Sequence, residues 1–594
     1  MRPPTRWAPL GAFLALVLFP LSASAAWQPN GNPICLNSRA SMPSLAADGA
    51  GGAFIAWLDT RDPAGPRVYL QRLTRSGDPA PGWPLGGLAA SPALPGFASP
   101  SVVSDGTGGA LLAWSVRNAD GNWTIGAQRV GPTGFMYSGW PATGGTVGSD
   151  GYVGAYSIVA DGAGGVFISW QDGSDLVRVQ RLQADGAVAA SWPAQGVVAI
   201  VLQWPYFYRC DWRPAAAPDG QGGVYVAVPT NREFGIGDMY LNLQRITPGG
   251  IREWGDGGVA VADSFSNDAG YIRVQGDGFG GALVSWMDFI PYSYPDYAEA
   301  IHTRRVTPSG GLVPDWPEHY PGLFNTAHPC ANGYQSSPDD SGGIVAVAYD
   351  LTLGVLSAQH LSKWGAPAPG WPTGGLLAQP PYSFDPWTDF DFPSAVVPGP
   401  QGTIIVLHQC LAPGSDTDVN IHAQLLDPLV PPTRHWPSST RAICTAPGAQ
   451  TYPTAVTDGA GGAIVVWIDA RSGSPVDLYA QHIDSTGQVG QPGPVGVRPT
   501  TQTGLALRAV TPNPGRGPTH IEYQIAVRGP ARLDVFDAAG RHVCNLLARE
   551  AQPGIGVAEW SGLGSGGGPV PKGMYFVRLE SGGRTVSRKL VRIE

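Results

Sequence analysis
The sequence predicts an all-β chain: an eight-bladed β-propeller followed by a small β-sandwich. Three observations carry this expectation. One turn motif recurs at nearly constant intervals, short apolar runs flank each copy, and the period stops near residue 505. At 594 residues the chain exceeds what a single hydrophobic core supports, so several units or a repeat array are expected. Charged residues make up only 14%, while 83 Gly and 58 Pro far exceed ordinary usage. Disordered chains share that bias, but 43% hydrophobic residues supply enough apolar surface to offset the entropy of ordering. Many short strands joined by tight turns fit this composition.

Residues 1–25 read as a secretory signal. Arg2 and Arg6 supply positive charge, Leu10 to Leu21 is an apolar stretch, and Ala23-Ser24-Ala25 is a small-residue cleavage site, so the mature chain is expected to start at Ala26. The apolar stretch is too short for a bilayer, which needs about 20 residues. No transmembrane segment is expected in the mature chain. The net charge of -9, without a basic run, argues against nucleic acid as a partner.

Residues 26–490 are expected to form the propeller. The motif is clear in Asp48-Gly49-Ala50-Gly51-Gly52, and its Asp recurs at Asp105, Asp161, Asp219, Asp277, Asp339 and Asp458, with a degenerate copy at Pro398 to Gly402. The intervals are 57, 56, 58, 58, 62, 59 and 60 residues, giving eight copies. Gly accepts the positive φ of a tight hairpin and Asp bonds its own backbone, so each copy reads as a turn between two strands. A third strand follows as Tyr69-Leu70-Gln71-Arg72-Leu73, repeated as Ala127-Gln128-Arg129-Val130 and Leu243-Gln244-Arg245-Ile246. The fourth element carries Gly82-Trp83-Pro84 and its copies, among them Gly139-Trp140-Pro141 and Gly370-Trp371-Pro372. Four antiparallel strands per unit suit radial packing, in which each blade covers its neighbour's apolar face. A closed ring is favoured over an open array because Trp27 to Asn37 resembles a stray fourth strand that could complete the last blade.

Cys35, Cys210, Cys330 and Cys444 each precede a first strand, and Cys35 and Cys444 flank the closure. Export permits disulfides, so a Cys35–Cys444 bond is expected to staple the ring; Cys410 and Cys544 have no evident partner.

Residues 491–504 read as a linker and 505–594 as a separate β module. Its motifs include Val510-Thr511-Pro512-Asn513-Pro514, Ala531-Arg532-Leu533-Asp534-Val535-Phe536-Asp537-Ala538-Ala539-Gly540-Arg541, Trp560, Pro569 to Tyr575 and Arg588-Lys589-Leu590-Val591. This stretch resembles the FlgD-like immunoglobulin-type domain and equally the type A C-terminal sorting domain of type IX secretion substrates. The resemblance implies an immunoglobulin-like sandwich that sorts or anchors the protein. It also implies the secretion machinery as a partner and a secreted or bacterial cell-surface location.

Function is less legible. Twelve of the 20 Trp fall in two repeat columns, and the turn Asp residues form another, so both serve packing and turn chemistry first. No cofactor, metal site or catalytic residue is identified: one carboxylate per turn is too few for calcium, and His-Glu-x-x-His and Cys-x-x-Cys are missing. The Ser-x-Asp-x-Gly-x-Thr-Trp box of sialidase-type propellers is missing too. Three connections depart from the repeat and are rich in aromatics: Trp204, Tyr206, Tyr208 and Trp212; Tyr292, Tyr294 and Tyr297; Tyr382 and Trp387. Aromatic faces beside carboxylates suit stacking on sugar rings. The expectation is a surface-associated binding or structural propeller whose partner is a glycan or a surface protein. The alternative is a glycan-binding protein or a glycoside hydrolase using Asp211, Asp296, Asp385, Asp389 or Asp391.

Overall fold
The Asp-Gly-x-Gly-Gly segments close hairpins in the computed structural model. It describes residues 27–593 except 118–122, 141–144, 150–155, 201–213, 232–238, 266–271, 292–296, 317–328, 351–354, 379–392, 399–403, 427–439, 491–505, 512–518 and gaps of one to three residues elsewhere. In the first copy the Asp48 amide donates to the Gly52 carbonyl at 3.0 Å, and Asp48 Oδ1 accepts from the amides of Ala50 and Gly52 at 2.7 and 2.8 Å. Gly49 and Gly51 take φ of +74° and +89°, where a side chain is strained, and a Cβ on Gly52 would lie 2.1 Å from the Leu73 carbonyl oxygen.

The chain divides into two compact units, Met1–Gly493 and Pro494–Glu594. Among the described residues every regular element is a strand, and no helix is long and apolar enough to cross a membrane. In the first unit eight small antiparallel sheets follow one another. The first contains Ser41–Ala47, Ala53–Asp59, Arg67–Leu73 and Leu88–Ala89, paired in chain order. The fifth has three described strands, Arg273–Gly276, Ala282–Pro291 and Tyr297–Val306. The eighth takes Gln450–Thr457, Ala463–Asp469 and Asp477–Ile483 from one end of the unit and its fourth strand, Asn32–Cys35, from the other. Each sheet's first strand touches the first strand of the next, and Gln450–Thr457 touches Ser41–Ala47, so the cycle closes.

Burial explains the apolar second strands. Every residue of Ala53–Asp59 is buried, because side chains alternate between faces and both faces are covered. Phe54, Ala56 and Leu58 pack with Val102, Leu112 and Trp114 of the second sheet. Ala53, Ile55 and Trp57 pack with Ile464 and Val466 of the eighth.

Polar residues of the repeat hold the seams between sheets. Arg129 of a third strand pairs with its own turn carboxylate, Asp105, at 2.7 Å and reaches across to the Ala184 carbonyl at 3.0 Å. The Trp140 indole donates to that same carbonyl at 2.9 Å. Arg181 and Trp192 converge likewise on the Pro248 carbonyl, at 2.9 and 3.0 Å. In the sixth and eighth sheets a histidine replaces the arginine: His360 faces Asp339 at 2.8 Å and His482 faces Asp458 at 2.9 Å.

The closing seam reuses this chemistry. Trp27 Nε1 donates to the Arg75 carbonyl at 3.0 Å, and Gln481 Nε2 donates to the Gln28 carbonyl at 2.8 Å, as Gln71 does to Pro84 at 2.8 Å. Trp27-Gln28 is therefore the eighth sheet's counterpart of Trp83-Pro84.

The expected Cys35–Cys444 disulfide is not present; both are buried free thiols. Cys35 ends the fourth strand of the eighth sheet, whereas Cys444 ends Arg441–Cys444, the fourth strand of the seventh. The two occupy equivalent positions in adjacent sheets. Packed sheets lie about 10 Å apart, beyond the roughly 7 Å between Cα atoms that a disulfide tolerates. Burial pushes both thiols, and Cys544, up to about 11. At pH 8 these three are expected to resist a thiol reagent in the folded protein and to react once it is unfolded. Prompt labelling of Cys35 in the native state would contradict this.

The second unit has two sheets. One contains Ala506–Thr511, Thr519–Ile525 and Gly554–Trp560; the other contains His542–Ala551, Gly529–Asp537, Gly573–Ser581 and Arg584–Arg592 in that spatial order. Ile521, Tyr523, Leu533, Val535, Trp560, Tyr575, Val577 and Leu590 form its core. Over residues 574–581 of the strand Gly573–Ser581 burial alternates residue by residue, the pattern of a strand with one face in the core.

Candidate functional site
Strand direction sorts the connections of each sheet onto two ends. Ala53 pairs with Leu73 and Asp59 with Arg67, so the Asp turn and the end of the third strand share one end of the sheet. The connections between second and third strands, and from one sheet to the next, share the other. The described strands that flank the three aromatic segments singled out from sequence, Val197–Ile200 and Ala215–Pro218, Ala282–Pro291 and Tyr297–Val306, and Leu376–Ala378 and Pro393–Pro398, end or begin at this second end. Trp204, Tyr206, Tyr208, Trp212, Tyr292, Tyr294, Tyr382 and Trp387 lie outside the described residues, as do Asp211, Asp296, Asp385, Asp389 and Asp391. Tyr297 opens the strand Tyr297–Val306 and pairs with Pro291, with its side chain also outside the description.

At the same end the structure reveals two residues that sequence reasoning passed over. Met42 and Tyr452 have φ of +52° and +53°. They occupy equivalent places near the start of the first strands of the first and eighth sheets, which touch. Each precedes a proline, and the pairing register shifts beside each, between Ser41 and Ser44 and between Thr451 and Thr454. A left-handed conformation in a bulky residue costs about 1–3 kcal/mol, and a following proline favours extended backbone instead. Both side chains nevertheless stand exposed, 43% for Met42 and 72% for Tyr452. The signal in the sequence was a bulky residue before Pro at the head of a first strand, in Met42-Pro43-Ser44 and Tyr452-Pro453-Thr454.

The third such residue, Asn30 with φ of +62°, has a structural explanation. Its carbonyl accepts from Arg471 Nη2 at 2.8 Å, just as the Gly86 carbonyl accepts from Arg61 Nη2 at 2.8 Å. Asn30 thus fills a glycine position of the repeat, and Asn tolerates that backbone better than most residues.

Matching polar layers lie toward this end of the same two sheets. Trp57 Nε1 donates to Asp59 at 3.0 Å, and the Arg61 guanidinium pairs with Asp59 at 2.9 Å while lying 4.1 Å over the Tyr69 ring. In the eighth sheet Trp467 donates to Asp469 at 2.7 Å, and Arg471 pairs with Asp469 at 2.6 Å and lies 3.9 Å over Tyr479. Asp59 and Asp469 are fully buried and committed to these partners, which suits them to holding the scaffold rigid. Among the described residues no group of three or more His, Cys, Asp or Glu could hold a metal ion.

No protein-family model matches the chain, and no curated protein matches it. Solved structures with some likeness include PorZ, a bacterial surface component of the type IX secretion system of Porphyromonas gingivalis, at 12% identity, covering 93% of this chain and 81% of that one with a TM-score of 0.23. The BP39L lectin of Burkholderia pseudomallei aligns at 12% identity over 76% of this chain and 98% of that one, with a TM-score of 0.36. The Hadza microbial sialidase Hz136 aligns at 12% identity over 42% of this chain, which spans about half (50%) of the sialidase, with a TM-score of 0.28.

Proposed function
We propose that the mature chain is an exported, surface-associated binding protein. In this reading residues 26–490 form an eight-bladed β-propeller, residues 491–504 a linker, and residues 505–594 an immunoglobulin-like sorting or anchoring domain that engages secretion machinery. The ligand is a glycan held at the end of the propeller that carries the second-to-third-strand and sheet-to-sheet connections. The observation that supports this most is the pair Met42 and Tyr452, two exposed side chains kept in costly backbone at that end of adjoining first strands. The repeat spends its recurrent Asp, Arg, Gln and Trp on turns and seams, leaving its departures for binding. Trp204, Tyr206, Tyr208, Trp212, Tyr292, Tyr294, Tyr297, Tyr382 and Trp387 are the proposed stacking residues, together with Tyr452.

The test is a glycan-array assay on the mature chain beside a Trp204→Ala, Tyr294→Ala, Trp387→Ala variant and a Tyr452→Ala variant. Binding by the parent that weakens about tenfold or more in each variant, while each still melts cooperatively, is the expected result. A parent that binds no glycan, or variants that bind as the parent does, would reject a sugar site at this end.

A further inference from the structure
The opposite end of the sheets, where the Asp turns lie, carries a second anomaly. The middle residue of the turn is Ala50, Thr107, Ala163, Gln221, Ser341 and Ala460 in six copies, but Phe279 in the fifth. The turn after the third strand has Ser76, Thr133, Asp185, Gly249, Ser309 and Thr486 at one position, but Trp364 in the sixth copy. Phe279 is 57% exposed and Trp364 61% exposed, whereas Trp57, Trp114, Trp170, Trp316 and Trp467 are fully buried. One ammonium joins the two rings across the seam: Lys363 Nζ lies 5.5 Å from the Phe279 centroid and 5.1 Å from that of Trp364.

The platform is held in place from below. The Arg305 guanidinium lies 5.3 Å over the Phe279 ring and donates to the Lys363 carbonyl at 3.0 Å. A Cβ on Gly342 would come within 2.7 Å of Phe279, so the ring leans on the backbone of the next sheet. Folding does not require these rings, since the same positions elsewhere are filled by small or polar residues. Exposing them opposes solubility, and their joint occurrence on one seam calls for a ligand.

We infer that Phe279, Lys363 and Trp364 form a saccharide-binding subsite on the Asp-turn end, separate from the one proposed above. An exposed indole takes the C–H face of a pyranose, and the adjacent ammonium donates to its hydroxyls. Two rings and one ammonium are too small an area for a stable protein interface, which needs about 800 Å² from each partner. They match the footprint of one sugar ring.

The experiment is affinity electrophoresis of the full mature chain through gels containing a soluble β-glucan, a xylan, a mannan or a galactan. It uses the Trp204→Ala, Tyr294→Ala, Trp387→Ala background, with and without Trp364→Ser, Phe279→Ala or Lys363→Gln. The expected result is retardation that persists in the background and weakens about tenfold with Trp364→Ser, less with Lys363→Gln, at unchanged melting temperature. Loss of all retardation in the background alone would overturn this subsite while supporting the other. Retardation unaffected by the three seam substitutions, or a concentration-dependent dimer abolished by Trp364→Ser without any saccharide binding, would also overturn it.

Discussion
Replacing Trp27 with Ala is expected to cost about 3–5 kcal/mol, the usual range for a large buried aromatic, and to release the fourth strand of the eighth sheet. Trp27 is only 4% exposed, donates to the Arg75 carbonyl at 3.0 Å and stacks on His482 with centroids 6.2 Å apart. A Cβ on Gly77 would lie 2.7 Å from the indole, so the first sheet's turn rests directly on it. The His482 stack joins the N-terminal segment to a sheet formed from the other end of the unit, while the Arg75 and Gly77 contacts join it to the first sheet. An analogous Trp83→Ala change loosens one seam of a ring that stays closed elsewhere. Removing residues 26–37 should be harsher, because Asp477–Ile483 would become an unpaired edge open to association with other chains. Hydrogen exchange of the amides in Asp477–Ile483, with the melting temperature, reads the outcome. Unchanged exchange and melting after the deletion would show that the N-terminal strand is not what closes the ring.

Asp105→Asn or Arg129→Met should each destabilise the protein by about 3–5 kcal/mol, since either leaves the other member of a buried pair without its counterion. Both side chains are nearly inaccessible, and the pair is made through two bonds to Asp105 Oδ2, from Nε at 2.9 Å and Nη2 at 2.7 Å. The seventh repeat suggests the compensated alternative. There Pro398 replaces the turn Asp, and Leu425 stands in the arginine column. A double Asp105→Ala, Arg129→Leu variant is accordingly expected to lose less than the sum of the single changes.

The same pair sets a pH dependence. Burial by itself would raise the Asp105 carboxyl, but the Thr107 amide, the Arg129 guanidinium, the Thr107 hydroxyl and the Gly109 amide outweigh it and hold the group below its ordinary value. A group depressed in the folded state contributes stability that is complete above its unfolded value, about 3.9 for Asp. That contribution falls as pH drops through the folded value. Asp458 is also depressed, burial again opposing and the bonds from His482, Ala460 and Gly462 prevailing. Urea unfolding at pH 7 and pH 3 should show a larger loss for the parent than for Asp105→Asn. Equal losses would mean that this carboxylate does not titrate with folding.

Much of the fold was legible because a repeat writes the same physics many times. Asp48 and its copies marked the hairpins, since few residues both cap a turn and tolerate its neighbours' positive φ. Apolar second strands marked sheets covered on both faces. The column of Gln and Arg marked third strands, although its use in bonding adjacent sheets was visible only once Arg129 could be seen reaching Ala184. The candidate site was less legible. Met42 and Tyr452 look ordinary as letters, because backbone strain comes from register and from the strand opposite.

The sequence by itself determined the period and the strand content, since turn chemistry and alternating burial are local properties. Tertiary structure decided the questions that depend on which distant segments become neighbours. It made Trp27 the eighth sheet's own tryptophan, across 453 residues between Gln28 and Gln481. It separated Cys35 from Cys444 by putting them at equivalent positions of adjacent sheets, and it brought Phe279 and Trp364 to one lysine. Spacing along the chain carries no information on such pairs, because closing a ring brings together residues that no local pattern links.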